Sequence, residues 1–216
     1  MPALELPDRH DVHRTLAEAH LRKAEPRFAP IIDAVGPCTL VCETNLFRSL
    51  ARAIVSQLIS TAAARTINER LEVALKRKVL PSRLLALSDE ELRGCGISGG
   101  KSKSLRALAD LFQRTRGLNA KLLAADDDTI RELLLPLHGI GPWTIDMFLI
   151  FAMGRPDVWP VGDLGVRAGM KDVFKLKELP DAKAMAKLAE PWRPYRTYAA
   201  WYLWRSRGWE GQPEAT

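Results

Sequence analysis

The run from Leu135 to Phe148 constrains this chain more than any other stretch. Before it, Ile130, Leu133, Leu134 and Leu137 recur at helical spacing, and after it Ile145, Phe148, Leu149, Phe151 and Ala152 do the same. Two helices therefore meet at a corner made of Gly139, Ile140 and Gly141. Glycines on either side of one apolar residue let the backbone turn without a side-chain clash and approach another molecule closely, while Ile140 points inward and pins the turn. Pro142 then opens the second helix, at the position where a proline loses no hydrogen bond.

The N–H groups of such a corner, backed by the positive end of the following helix, suit a phosphate. The arrangement is a helix-hairpin-helix. A turn made by Pro160, Val161, Gly162 and Asp163 follows and opens a third helical run, so a carboxylate returns soon after the corner. Asp163 has two readings: an N-cap for its helix, or a charge placed for chemistry.

Four spaced motifs carry a resemblance over about residues 40–210. They are Gln57-Leu58-Ile59-Ser60, the corner His138-Gly139-Ile140-Gly141-Pro142-Trp143-Thr144, the run Pro160-Val161-Gly162-Asp163-Leu164-Gly165-Val166-Arg167, and Trp192-Arg193-Pro194-Tyr195-Arg196. In that order they resemble the helix-hairpin-helix DNA glycosylase superfamily, and within it the 3-methyladenine DNA glycosylase II (AlkA-like) family. The resemblance implies an all-α fold of two helical lobes with a cleft between them and no large N-terminal sheet domain, for which the short leader leaves no room. The whole chain is then a single compact helical unit, one lobe from about residues 1–43 plus 160–216 and the other, carrying the hairpin, from about 44–159.

Charge and cysteine content agree with that class without specifying it. Lys and Arg number 32 against 26 Asp and Glu, a net charge of +6, which favours an anionic partner. Cys38, Cys42 and Cys95 are too few and too scattered for a disulfide framework or a four-thiolate metal site. Some glycosylases of the superfamily carry a four-cysteine iron–sulfur cluster near the C-terminus, and no cysteine follows Cys95. No cofactor or metal is expected, although a structural monovalent cation at the hairpin is compatible with the motif. No apolar run is long enough to span a membrane, and residues 1–10 lack the basic-then-apolar design of an export signal. An intracellular protein, cytoplasmic or at the nucleoid, is expected.

Along the chain, residues 9–22 and 24–35 read as helices, and residues 39–43 are the one plausible strand. Asn45 with Thr44 caps a helix whose Phe47, Leu50, Ala51, Ile54 and Leu58 lie on one side. Its end, Gln57-Leu58-Ile59-Ser60, matches the corner from which the resembled family wedges a side chain into the duplex. Leu58 is the matching position, either a wedge replacing lost stacking or an ordinary core leucine, and Gln57 is the neighbour suited to probe the widowed base. A basic amphipathic helix follows over residues 61–78, then two short ones, the second with a Ser88/Glu91 capping box. Residues 96–104 repeat the glycine-rich idea before a helix over 105–116. Lys101 and Lys103 there oppose the helix dipole, which suggests a backbone-phosphate contact or a flexible lysine-bearing loop. Near the C-terminus, residues 191–209 hold four of the six tryptophans and all three tyrosines, with Tyr198, Trp201 and Trp204 on one helical stripe and Tyr202 beside it.

The function this implies is hydrolysis of an N-glycosidic bond in double-stranded DNA containing alkylated bases, by a monomer with no membrane attachment. Such chemistry needs phosphate anchors, a wedge, an aromatic pocket and a negative charge near the sugar. The hairpin (Gly139, Gly141, Thr144), Lys101, Gln57 and Leu58 would bind DNA, and Asp163 would stabilise the positive charge that develops on the deoxyribose. The likeness makes Trp143 and Trp204 pocket residues, whose electron-rich faces suit a cationic alkylpurine. Met147 stands where a tyrosine is usual and should open the pocket; His138 replaces the usual proline. Glycosylases that also cut the backbone carry a lysine where Trp143 stands, so strand cleavage is not expected. Two alternatives are a non-catalytic helix-hairpin-helix DNA-binding protein, whose grip on phosphates the Asp163 carboxylate would weaken, and a glycosylase for oxidised or mismatched bases.

Overall fold

A computed structural model describes residues 9–208. The first eight residues, most of the stretch considered for an export signal, and Trp209 lie outside the described residues. The chain divides into two compact units: residues up to Thr44 together with those from Leu149 onward form the first, and Asn45–Phe148 the second. The second passage between units falls inside a helix, Pro142–Phe151, rather than near residue 159. Every residue from Thr144 to Phe151 is buried, and all but Thr144 and Asp146 are apolar, so the helix runs on without a break.

In the first unit lie α1 (Arg14–Ala24) and α2 (Phe28–Val35), and from the chain's return α11 (Leu164–Val173), α12 (Ala182–Ala189), a 3-10 turn at Glu190–Trp192 and α13 (Arg196–Arg205). The last of these is the centre of the unit, packed by α1, α2 and α11. Its eight residues Thr197–Trp204 are all buried, so the expected aromatic stripe is instead a helix enclosed on every side. Trp192 fills the neighbouring space edge-on to Phe28 and Trp159, with ring centroids 5.1 and 5.2 Å away. Polar atoms drawn into this core have partners, as burial requires. Glu18 accepts from the Tyr202 hydroxyl and the Cys38 N–H, both at 2.9 Å, and burial beside that carboxylate pushes the Tyr202 phenol far up. Asp157 receives Arg193 and Arg196, which fixes the entry to α13.

Residues 39–43 are not a strand, and no strand occurs among the described residues. The Glu43 N–H reaches Phe151 O at 2.7 Å, but a single bond to a helix end is not a ladder.

The second unit holds α3 (Leu46–Ser56), α4 (Thr61–Ala74), α5 (Pro81–Ala86), α6 (Asp89–Gly94), α7 (Gly99–Arg114), α8 (Leu118–Ala124), α9 (Asp127–Leu134) and the start of α10 (Pro142–Phe151). Its core is the face shared by α3 and α7: Leu50, Ile54, Leu105 and Leu108 are fully buried, and Phe47 meets Phe112 edge-on at 5.4 Å. Helix starts are set by side chains that accept an otherwise orphaned N–H: Asn45 from Arg48, Ser60 from Ala63, Asp126 from Thr129. The Ser88/Glu91 box forms both of its bonds.

Two boundaries depart from the sequence reading. The basic helix ends at Ala74, because Lys76 and Arg77 turn into left-handed backbone with φ of 53° and 57°. Helix α7 begins at Gly99, not Leu105: Ser98 caps it by accepting from the Lys101 N–H, and buried Ser102 and Ser104 commit its first turns to the interior. The glycines at 99 and 100 are thus first-turn residues, where their low helix propensity matters least.

Candidate functional site

The hairpin corner is built on the second unit's core. After α9 the Leu137 N–H bonds Leu134 O and the Ile140 N–H bonds Leu137 O, each at 3.1 Å, closing the turn. Gly139 has φ of 72°, and a Cβ there would stand 2.0 Å from the Ser104 hydroxyl oxygen on α7. Only glycine lets the corner sit so close to that helix. Gly141 is different: its φ is ordinary and a Cβ would meet nothing within 4 Å. What glycine provides there is a bare backbone edge facing open space at the start of α10. As in any α-helix, first-turn N–H groups have no carbonyl one turn back, and the dipole adds to their attraction for an anion. Ile140 is buried as expected, at 5 % exposure.

An ion pair absent from the sequence reading braces this corner. Arg131 on α9 donates to the nearly buried carboxylate of Asp146 on α10 at 2.7 Å, tying the two arms of the hairpin together. Leu137 O and Gly139 O already receive hydrogen bonds, the second from Gln57, so a cation at the corner would have to share these acceptors.

Leu58 lies between α3 and α4 and is fully exposed, at 105 %, with φ of 57°. It is therefore not a core leucine. A leucine in left-handed backbone costs on the order of 1 kcal/mol, and nothing is recovered by burial. Its neighbours hold the corner. The Gln57 side-chain amide donates to Gly139 O at 2.9 Å and to Thr144 Oγ1 at 2.8 Å, so it points to the hairpin rather than outward. Thr144 is itself buried, and its hydroxyl is taken up by Gln57.

Lys101 corrects the sequence expectation. Its ammonium donates to Val55 O at 2.7 Å and to Gln57 O at 2.9 Å, carbonyls left over at the C-terminal end of α3. The cation answers the negative end of that helix, and burial pushes its pKa below the usual lysine range. The opposition to α7's own dipole is thus offset by a second helix that no sequence spacing reveals.

In the first unit, the Asp163 N–H bonds Pro160 O at 2.9 Å, completing the turn that delivers it to the start of α11. Its Oδ1 accepts from the Val166 N–H and from the Trp204 indole N–H, both at 2.8 Å. The capping reading is realised, and it does not displace the other: the same two bonds orient a carboxylate that is only 8 % exposed. Trp204 in turn stacks on Phe151, centroids 5.8 Å apart and planes 20° from parallel. Gly165 makes room for this arrangement, since a Cβ there would lie 2.9 Å from Trp204 Cδ1 and 3.1 Å from Asp163 Oδ1. The edge of Trp204 thus serves the acid, a role the sequence did not suggest. Arg167, from the same motif, donates to Pro180 O and is structural.

Trp143, partly exposed, and Met147, buried, sit four residues apart on α10 and so share a face of that helix. All three cysteines are free thiols, and no cluster of His, Cys, Asp and Glu able to hold a metal occurs among the described residues. No helix among them is long and apolar enough to cross a membrane.

Comparison with known proteins agrees with this geometry. The profile of the HhH-GPD superfamily base excision DNA repair protein matches residues 51–194. An alkylbase DNA glycosidase-like protein of Schizosaccharomyces pombe is 31% identical over 195 residues, covering 88% of this chain and 92% of its own. DNA-3-methyladenine glycosylase 1 of the same yeast is 31% identical over 200 residues, covering 89% and 87%. The solved structure of the Schizosaccharomyces pombe 3-methyladenine DNA glycosylase in complex with abasic DNA superimposes with a TM-score of 0.83 at 29% identity, over 90% of this chain and 98% of that one. With its all-helical fold, its glycine corner and its capped aspartate, the chain belongs to the HhH-GPD superfamily of base excision DNA repair proteins.

Proposed function

We propose that this protein is a monofunctional DNA glycosylase that removes alkylated purines of the 3-methyladenine type from double-stranded DNA, acting as a monomer where the DNA is held. The observation that carries the reading is Asp163: a carboxylate at 8 % exposure, oriented by an indole N–H and a helix N–H, on the turn that follows the hairpin in sequence. A protein that only grips phosphates needs no more than a helix cap from this side chain, whereas here an indole N–H also orients the buried charge.

In the proposed reaction the flipped nucleotide loses its base with the electron pair of the C1′–N bond. An alkylated purine is cationic, so that pair neutralises it and the leaving group needs no added proton. Positive charge develops on the deoxyribose, and the Asp163 carboxylate stabilises it in a position fixed beforehand. Water adds at C1′ and releases a proton, leaving an abasic site. Gly139 and Gly141 hold backbone phosphate through the corner's N–H groups. Leu58 fills the gap left in the duplex, which its full exposure supports. Trp143 and Met147, on one face of α10, are offered to the extruded base, with the Trp143 ring face suited to a cation.

The test is release of free bases from methylated duplex DNA, separated by chromatography. N3-methyladenine and related purines are expected as products. The DNA should keep its backbone until alkali or heat is applied, because Trp143 stands where a lyase would carry its amine. Direct nicking, or trapping of the protein on DNA by borohydride, would show that another amine acts as nucleophile; no base release at all would leave the non-catalytic DNA-binding reading.

A further inference from the structure

We propose that Lys101 is a positioning residue for Leu58: its ammonium clamps the end of α3, so that the exposed leucine is presented in one fixed, left-handed conformation. The proposal rests on the reading of Leu58 as the side chain that enters DNA.

Three observations meet at this corner. Leu58 has a backbone conformation that an L side chain avoids and no packing of its own, so its geometry has to be imposed by neighbours. Lys101 supplies that from one side. It bonds the carbonyl oxygens of Val55 and Gln57, the second belonging to the residue just before Leu58, and so fixes the peptide plane from which the left-handed turn departs. Gln57 supplies it from the other, with its amide on Gly139 O and Thr144 Oγ1, which fastens the same residue to the phosphate-binding corner. Gln57 is therefore held at both its main chain and its side chain.

A lysine suits the main-chain role for a physical reason. Carbonyls at a helix C-terminus carry partial negative charge, and a cation with several donors can serve two of them at once. A flexible corner would have to order itself on entering DNA, and each ordered residue has an entropic cost; a corner ordered in advance does not meet that cost at the moment of flipping.

The test compares Lys101→Met, which keeps the aliphatic stem and removes the donors, with Lys101→Arg and Leu58→Ala. Amide hydrogen exchange at Gln57, whose N–H bonds Ile54 O, and in the last turn of α3 reads the corner without DNA. Single-turnover base release is measured on methylated duplex and single-stranded DNA. We expect Lys101→Met to speed exchange at the corner at least tenfold and to slow base release from duplex by roughly tenfold, with a much smaller loss on single strands. In a Leu58→Ala background, Lys101→Met should add little, because the two act through one side chain. Lys101→Arg should recover part of the loss. Losses that multiply in the double variant would overturn the proposal, as would exchange at Gln57 and the last turn of α3 that stays unchanged. A fall of about one in the salt slope of DNA binding would instead assign Lys101 to phosphate and overturn it too. Should Lys101→Met fail to fold, Gln57→Ala provides the same readouts from the other fastening. If Leu58→Ala alone spares duplex activity while exchange responds as expected, the wedge reading has failed rather than the clamp, and the proposed role in base release goes with it.

Discussion

The turn before α11 and the turn after α3 break the same rule in opposite directions. At the first, a carboxylate is buried: Asp163 is 8 % exposed. At the second, a large apolar side chain is set out in water: Leu58 is 105 % exposed and in left-handed backbone besides. Ordinary folding would do the reverse at both places. Each exception is maintained by specific neighbours, Trp204 and the Val166 N–H for the acid, Lys101 and Gln57 for the leucine. On the proposed function, the difference lies in what each site would do. A charge acts strongly only where water is scarce, which accords with an acid that is withdrawn and oriented. A wedge acts only on what it can reach, which accords with an exposed leucine whose backbone, not its side chain, is restrained.

The largest effect is expected where the charge alone is removed. Asp163→Asn keeps the shape, and its amide oxygen can still accept from Val166 and Trp204. Fold stability should therefore stay within about 1 kcal/mol by thermal or denaturant unfolding. DNA binding should be kept or tightened, because a like charge has left the neighbourhood of phosphates. Base release should still fall by roughly a hundredfold or more, the scale seen when a preorganised transition-state partner is lost. Near-normal release would reduce Asp163 to a helix cap and remove the contrast between the two turns.

A smaller loss is expected when the acid is kept and its orientation disturbed. Trp204→Phe removes one donor to a charged acceptor and retains a ring against Phe151; a hydrogen bond of that kind contributes about 1.5–3 kcal/mol, so release should slow by about tenfold or more. The single-turnover rate should carry the loss while DNA affinity stays put. Gly165→Ala reaches the same contact from the other side, since its methyl would intrude on both the indole and the carboxylate. If both variants left the rate unchanged, orientation by Trp204 would be incidental.

Much of the hairpin and most helix starts were legible in the sequence, because those features are set by residues within a few positions of one another. The Gly139-Ile140-Gly141 corner, Pro142 at the start of α10 and the caps at Asn45 and Ser88 all follow from local backbone rules. What escaped was set by distant partners. The use of Lys101 depends on α3, more than forty residues away, and the Arg131–Asp146 pair forms only once the hairpin has closed. The early start of α7 and the left-handed stop at Lys76 and Arg77 were missed because tertiary context outweighs propensity. Asp163 was legible as a cap and as a charge, but the indole that joins those roles lies 41 residues on.

The smallest effect on stability, and the one that sharpens the contrast most, belongs to Leu58→Ala. A core leucine cut to alanine costs about 2–5 kcal/mol. Leu58 buries nothing, so the change should fall within about 0.5 kcal/mol of the parent protein in denaturant unfolding, like other surface substitutions. Alanine is held in the same left-handed backbone, so the strain is neither added nor removed. Glycine does remove it: Leu58→Gly should recover roughly 1 kcal/mol of strain, less what glycine loses through its greater freedom in the unfolded chain. Both variants should lose base release from duplex DNA in preference to single strands. A protein that becomes no less stable but less able to open a duplex would show that the exposed leucine is retained for DNA and against the folding energy of its own turn. A destabilisation of about 3 kcal/mol in Leu58→Ala would instead mean that the side chain is buried in solution, and the opposition between the two turns would fail.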